Sequence, residues 1–153
     1  MSLPTICTIG YERATPDGLL AALRQHRVAC LVDVRAIPNA RGKPIFSKTK
    51  LAAWLEENGI AYRHIRALGT PAEGRAAARE GDHATLRRIY SRHLQGAEAQ
   101  AAFADLVGMA TEQRVCLLCL EREPKACHRS LLTDILEAEH GFRVEHAFAD
   151  GQP

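Results

Sequence analysis

At 153 residues, with 25% charged and 46% hydrophobic residues, the chain fits one soluble globular domain that can bury a core without disulfide staples. A formal net charge of +2 is too small to imply a nucleic-acid partner by itself, and no apolar run is long enough to span a membrane. No basic stretch followed by an apolar one opens the chain, so secretion is not expected, and the five cysteines are read as reduced thiols of a cytoplasmic protein.

The first predicted strand is "PTICTIG" (Pro4–Gly10), which alternates β-branched and smaller residues and stops at glycine. Thr15 as N-cap, Pro16 at the first helical position and Asp17 behind it predict a helix, with Leu19, Leu20 and Leu23 on one stripe. "VACLVDV" (Val28–Val34) is nearly continuously apolar, the pattern of a strand covered on both faces. A loop rich in proline, glycine and base follows, then a helix over about 47–58 that Gly59 stops. "IAYRHI" (60–65) is the third strand. The connection 67–82 reads as weakly structured, a candidate lid. Helices over about 83–93 and 97–110 lead to the fourth strand, "RVCLLCL" (114–120). The last helix sets Leu131, Leu132, Ile135 and Leu136 on one face and Arg129, Thr133, Asp134 and Glu137 on the other; Gly141 ends it, and "FRVEHAF" (142–148) is the fifth strand.

This alternation predicts a single three-layer α/β domain over 1–153, a mostly parallel sheet of about five strands with helices on both faces. In such sheets ligands bind beyond the carboxyl ends of the strands. Here those ends carry Gly10, Tyr11, Glu12 and Arg13, then Asp33 and Arg35, then His64 to Gly69, then Cys119 and Glu121. Between Asp33 and Glu56 there is no acid, while Arg35, Arg41, Lys43, Lys48 and Lys50 all fall there, a one-sign stretch that attracts anions.

"CLLC" has the spacing of a zinc knuckle or redox motif, but residues three apart in a strand face opposite sides of the sheet. Cys116, with Cys7 and Cys30, is therefore read as core. Cys119 and Cys127 lie at the rim. Cys127 precedes a helix start, where unpaired amides favour a thiolate and, with Arg129, could hold an anion. His128 is a candidate acid or base near neutral pH, Glu121 a candidate base, and Ser130 a helix N-cap. No metal ligand is assigned outright, although Cys119, Glu121, Cys127 and His128 could converge on zinc. His26, His83, His93 and His140 are read as solvated surface residues.

"TIGYE", "LVDVR", "PIFSKTKLAAWLEENGIAYRHIRALG" and "LLCLEREPKACHR" resemble the bacterial and archaeal family catalogued as domain of unknown function 488, over Ile9 to about Leu136. The resemblance implies motif positions Gly10, Tyr11, Asp33, Arg35, Tyr62, Leu68, Gly69, Cys119, Glu121, Cys127, His128 and Arg129, and no established activity. A more distant likeness is to rhodaneses and cysteine phosphatases, which hold cysteine and arginine together in a tight loop of amides. Here nine residues separate Cys119 from Arg129, Glu121 and Glu123 among them, which disfavours that mechanism.

The expected function is an enzyme-like domain, a thiol- or acid/base-dependent hydrolase or transferase, binding a phosphorylated or nucleotide-like anion. Its cofactors are unknown, and no membrane partner is expected. Asp33, Cys119, Glu121, Cys127 and His128 are the catalytic candidates; Gly10, Tyr11, Arg35, Arg41, Lys43 and Arg129 are the ligand-binding ones. The alternatives are a non-catalytic nucleic-acid binder gripping phosphates through Arg35 to Lys50, and a zinc-dependent site using Cys119, Cys127 and His128.

Overall fold

A computed structural model describes residues 3–40 and 42–150. Among these, the strands are β1 (Thr5–Gly10), β2 (Cys30–Asp33), β3 (Ala61–His64), β4 (Val115–Cys119) and β5 (Arg143–His146). The helices are α1 (Pro16–Gln25), α2 (Lys48–Glu57), α3 (Ala72–Arg79), α4 (His83–His93), α5 (Ala97–Glu112) and α6 (Arg129–His140). The sheet is wholly parallel, in the order β3-β2-β4-β1-β5. None of the helices is long and apolar enough to cross a membrane.

The order explains the layers. Chain steps from β1 to β2 and from β2 to β3 run one way across the sheet, and steps from β3 to β4 and from β4 to β5 run the other way. Right-handed crossovers then put α1 and α2 on one face and the later helices on the opposite face. Two cores result. Cys7, Ile9, Leu31, Cys116 and Leu118 pack against Leu19, Leu23, Leu51 and Leu55. Ile6, Cys30, Val32, Val115 and Leu117 pack against Tyr90, Leu106, Leu132 and Leu136. Cys7, Cys30 and Cys116 are buried thiols of these cores, and Cys116 sits beside Cys7 across the β1–β4 ladder.

The connection from Gly69 to Asp82 is more ordered than its composition implied. Its alanine-rich centre forms α3, which buries Gly74 and Ala77 and packs against α4. The sequence cue was weak because glycine and charge interrupt every apolar run there. The last helix also departs from its expected faces: Arg129 and Thr133 are buried with Leu132 and Leu136. Thr133 hides its hydroxyl by donating to the Ser130 carbonyl. Ser130 does not cap α6; its hydroxyl donates to the Cys127 carbonyl, and His128 takes the cap position. The Thr15 cap on the Gly18 amide and the left-handed stops at Gly59 and Gly141 match the sequence.

Two glycines let the strand-end loops close on one another. A Cβ at Gly10 would sit 1.8 Å from the Glu121 carbonyl oxygen, and one at Gly69 would sit 2.4 Å from the Ala36 backbone. Gly10, expected to bind ligand, gives room for the β4 exit. Both clashing partners are backbone, which relaxes poorly. Gly10→Ala is therefore expected to lower stability by about 3 kcal/mol in urea titration, with an unchanged denaturant slope.

Candidate functional site

The carboxyl ends of β2 and β4 lie side by side, and the chain leaves them in opposite directions. That divergence is the position at which an open parallel sheet forms a crevice. A cavity of about 180 Å³ opens there. Its floor is Cys119, Glu121, Cys127 and His128, and its walls include Tyr11, Arg35, Thr70 and Arg75.

Three donor atoms of the floor, Cys119 Sγ, Cys127 Sγ and His128 Nδ1, lie within 4.8 Å of one another. Each sulfur is 3.6 Å from Nδ1. The other ring nitrogen, Nε2, is 2.7 Å from the Val34 carbonyl oxygen and must donate to it. That bond presents Nδ1 to the sulfurs, and the Tyr90 ring meets the imidazole edge-on at 4.9 Å. Cys119 also donates to Glu121 Oε2 at 3.5 Å.

Burial resists ionisation of Cys127. The Cys119 hydrogen bond, the charge of His128 and that of Arg129 overcome it and hold the thiol well below its ordinary value. Cys119 moves the other way, pushed up by its hydrogen bond to Cys127 and by burial. Burial works against a charged His128, but the neighbouring Cys127 raises it on balance. Glu121, half buried beside the Cys127 sulfur, is pushed up to about 7 by burial first and that charge second. These shifts favour a thiolate at Cys127, a protonated thiol at Cys119 and a charged His128.

Asp33 and Arg129, expected in the chemistry, serve structure. Asp33 is fully buried; its Oδ1 accepts from Arg35 N and Nε, and its Oδ2 from Arg35 Nη2 and the Tyr62 hydroxyl. This leaves no lone pair turned to the cavity and makes Asp33 the clamp that aims Arg35. The Tyr62 phenol is raised by burial and by the Asp33 charge, so it stays a donor. Arg129, also fully buried, donates through Nη1 to the Glu121 carbonyl and through Nη2 to that of Arg122. Through these two bonds it braces the loop after β4, while its Nε is left without a partner. That loop contains a 3-10 turn at Pro124–Ala126 and is no tight amide cradle, so the rhodanese likeness does not extend to its geometry.

The remaining candidates divide. Tyr11 lines the cavity and lies under the Arg35 guanidinium, 5.0 Å from ring centroid to Cζ. Lys43 borders a wider outer cleft with Arg13, Arg75 and Arg79. Arg41 lies outside the described residues. His93 and His26 are not free surface groups: His93 donates to the Ala67 carbonyl, and His26 pairs with Glu145. Sequence reading missed Thr70, Arg75 and Arg79. The arginines sit on α3 four residues apart, so they share one face of that helix, a signal that becomes readable only once the segment is taken as helical.

No curated protein and no solved structure matches the chain. A family model does, over residues 15–136, four-fifths of the sequence and every floor residue. The chain belongs to the family described as "Domain of unknown function DUF488".

Proposed function

We propose that the chain is a zinc-dependent enzyme in which Cys119, Cys127 and His128 hold the metal at the floor of the cavity. One observation carries this reading: the two equal spacings of 3.6 Å from sulfur to Nδ1. Tetrahedral zinc, with Zn–S of about 2.3 Å and Zn–N of about 2.05 Å, separates those atoms by about 3.6 Å. The Nε2 bond to the Val34 carbonyl is the outer contact that orients a zinc-bound imidazole. Three protein ligands leave a fourth position for water or substrate, the arrangement of catalytic rather than structural zinc. Zinc there would polarise a carbonyl or phosphoryl oxygen or activate water. Glu121 lines the same cavity and would move the proton.

A second reading has its own support. Without metal, the Cys127 thiol, depressed below its ordinary value beside a His128 raised above its own, would act as a nucleophile of the thiolate–imidazolium kind. The nucleic-acid reading has less: Lys43 borders the outer cleft, and Arg35 is bound to Asp33 and buried.

Metal analysis with thiol labelling separates the first two. The zinc reading expects one zinc per chain after purification without chelator, and Cys127 shielded from iodoacetamide. After chelation Cys127 should label first, ahead of Cys7, Cys30 and Cys116. Absence of bound metal together with fast Cys127 labelling from the start would transfer the function to the thiolate.

A further inference from the structure

Two buried polar atoms on the cavity wall make no well-formed hydrogen bond within the chain: Arg35 Nη1, on a guanidinium that also interacts with the Tyr11 side chain, and Thr70 Oγ1. Both residues are only 4% exposed. A buried donor left unpaired costs free energy, and native structures rarely keep two beside one cavity without a ligand to satisfy them. Neither is free to turn away. Arg35 is locked by its two-point bond to Asp33 and by the Tyr11 ring beneath it, so Nη1 is the corner left over. Thr70 is brought in by Gly69, whose missing Cβ lets this loop lie on Ala36, and its methyl is pinned toward Gly74 of α3. The two residues come from loops after different strands and line the same cavity, so no local turn explains why both are left unpaired there.

The surrounding charge selects the ligand. Asp33 offsets Arg35, but Arg75 and Arg79 of α3 border the cavity against the single carboxylate of Glu121. Arg75 is held there by its bond to the Thr70 carbonyl. Outside, Arg13 and Lys43 line the outer cleft with Arg75 and Arg79, and Glu12 is the acidic residue of that lining among the described residues. Paired hydrogen-bond donors under a surplus of guanidinium suit an oxyanion.

We infer that the cavity seats an oxyanion group of the substrate, a carboxylate or a phosphoryl, between Arg35 Nη1 and the Thr70 hydroxyl with Arg75 beside them. The reacting end of the substrate then lies on the Cys119–Cys127–His128 floor. This rests on the zinc reading only for which end faces the floor, because none of the anion's donors is a zinc ligand.

The test is a titration of inorganic phosphate and of acetate, by calorimetry, into the chelator-treated chain and the zinc-loaded chain. Thr70→Val keeps the shape and removes only an unpartnered hydroxyl, so it should fold with equal or higher Tm and unchanged zinc content. It should weaken the better anion about tenfold in both forms. Arg75→Gln should weaken it several-fold, and it decides the matter should Thr70→Val not fold. The tighter of the two anions assigns the class. Wild-type affinity in the variants overturns the inference, as does binding confined to the zinc-loaded form, where the anion would sit on the metal with water alone at Thr70. Chains that never hold zinc but still show the Thr70 effect would sink the zinc reading and leave this one standing.

Discussion

Replacing Asp33 with asparagine is expected to destabilise the protein by about 3–5 kcal/mol, the cost of leaving one partner of a buried ion pair alone. The substitution is nearly isosteric, so packing does not explain the loss. An asparagine can offer its oxygen to Arg35 Nε, but its NH₂ group then faces Arg35 Nη2 donor against donor, and the Tyr62 hydroxyl must turn to accept instead of donating. Arg35 would be left charged and 4% exposed with one acceptor instead of two. Tyr62→Phe removes one hydrogen bond to the carboxylate and should cost less, about 1.5–3 kcal/mol. The double variant Asp33→Leu with Arg35→Met should recover most of the stability, since a buried pair exchanged for apolar residues is close to neutral. It would still lose anion binding. Equilibrium unfolding of the three proteins checks the order. A Asp33→Asn protein as stable as wild type would mean that Arg35 finds another acceptor and that its aim is not set by the clamp.

The way this clamp escaped the sequence reading shows what patterns convey. Periodicity and turn residues made the inner strands legible because β1, β2 and β4 each bury a nearly continuous run, as the interior of a parallel sheet needs, whereas the edge strands β3 and β5 stay partly exposed. The alternation then dictated where the polar tips would gather, and Cys119, Glu121, Cys127 and His128 do line one cavity. Side-chain direction was not legible. Asp33 and Arg35 are two apart at a strand end, and nothing local distinguishes an aspartate turned to a ligand from one turned to its neighbour. Arg129 read as an anion site because a helix start and a guanidinium usually make one. Only the fold shows two loop carbonyls already occupying it. The helix α3 was hidden for a different reason. Alanine and arginine form helix well but give no apolar stripe, so eight residues passed as loop and took two cavity arginines with them.

Zinc loading is expected to raise Tm by roughly 10 °C, the shift produced by about 4 kcal/mol of linkage when free metal stands a thousandfold above its Kd. Cys127→Ser, Cys119→Ser and His128→Ala should each abolish that shift and lower zinc affinity by more than about a hundredfold, because thiolate and imidazole supply most of the bond strength. The cobalt-substituted protein should show the intense visible bands of a tetrahedral ion bound by thiolate, and the serine variants should lose them. Both sulfurs and Nδ1 must be free of protons to bind, so the stabilisation fades as pH falls and returns as it rises. Glu121→Gln provides the contrast. Its carboxylate touches Cys119 but lies outside the three-atom cluster, so zinc content and the Tm shift should persist. A variant at Glu121 that lost the metal with the others would make it the fourth ligand, close the open position and turn the site from catalytic to structural.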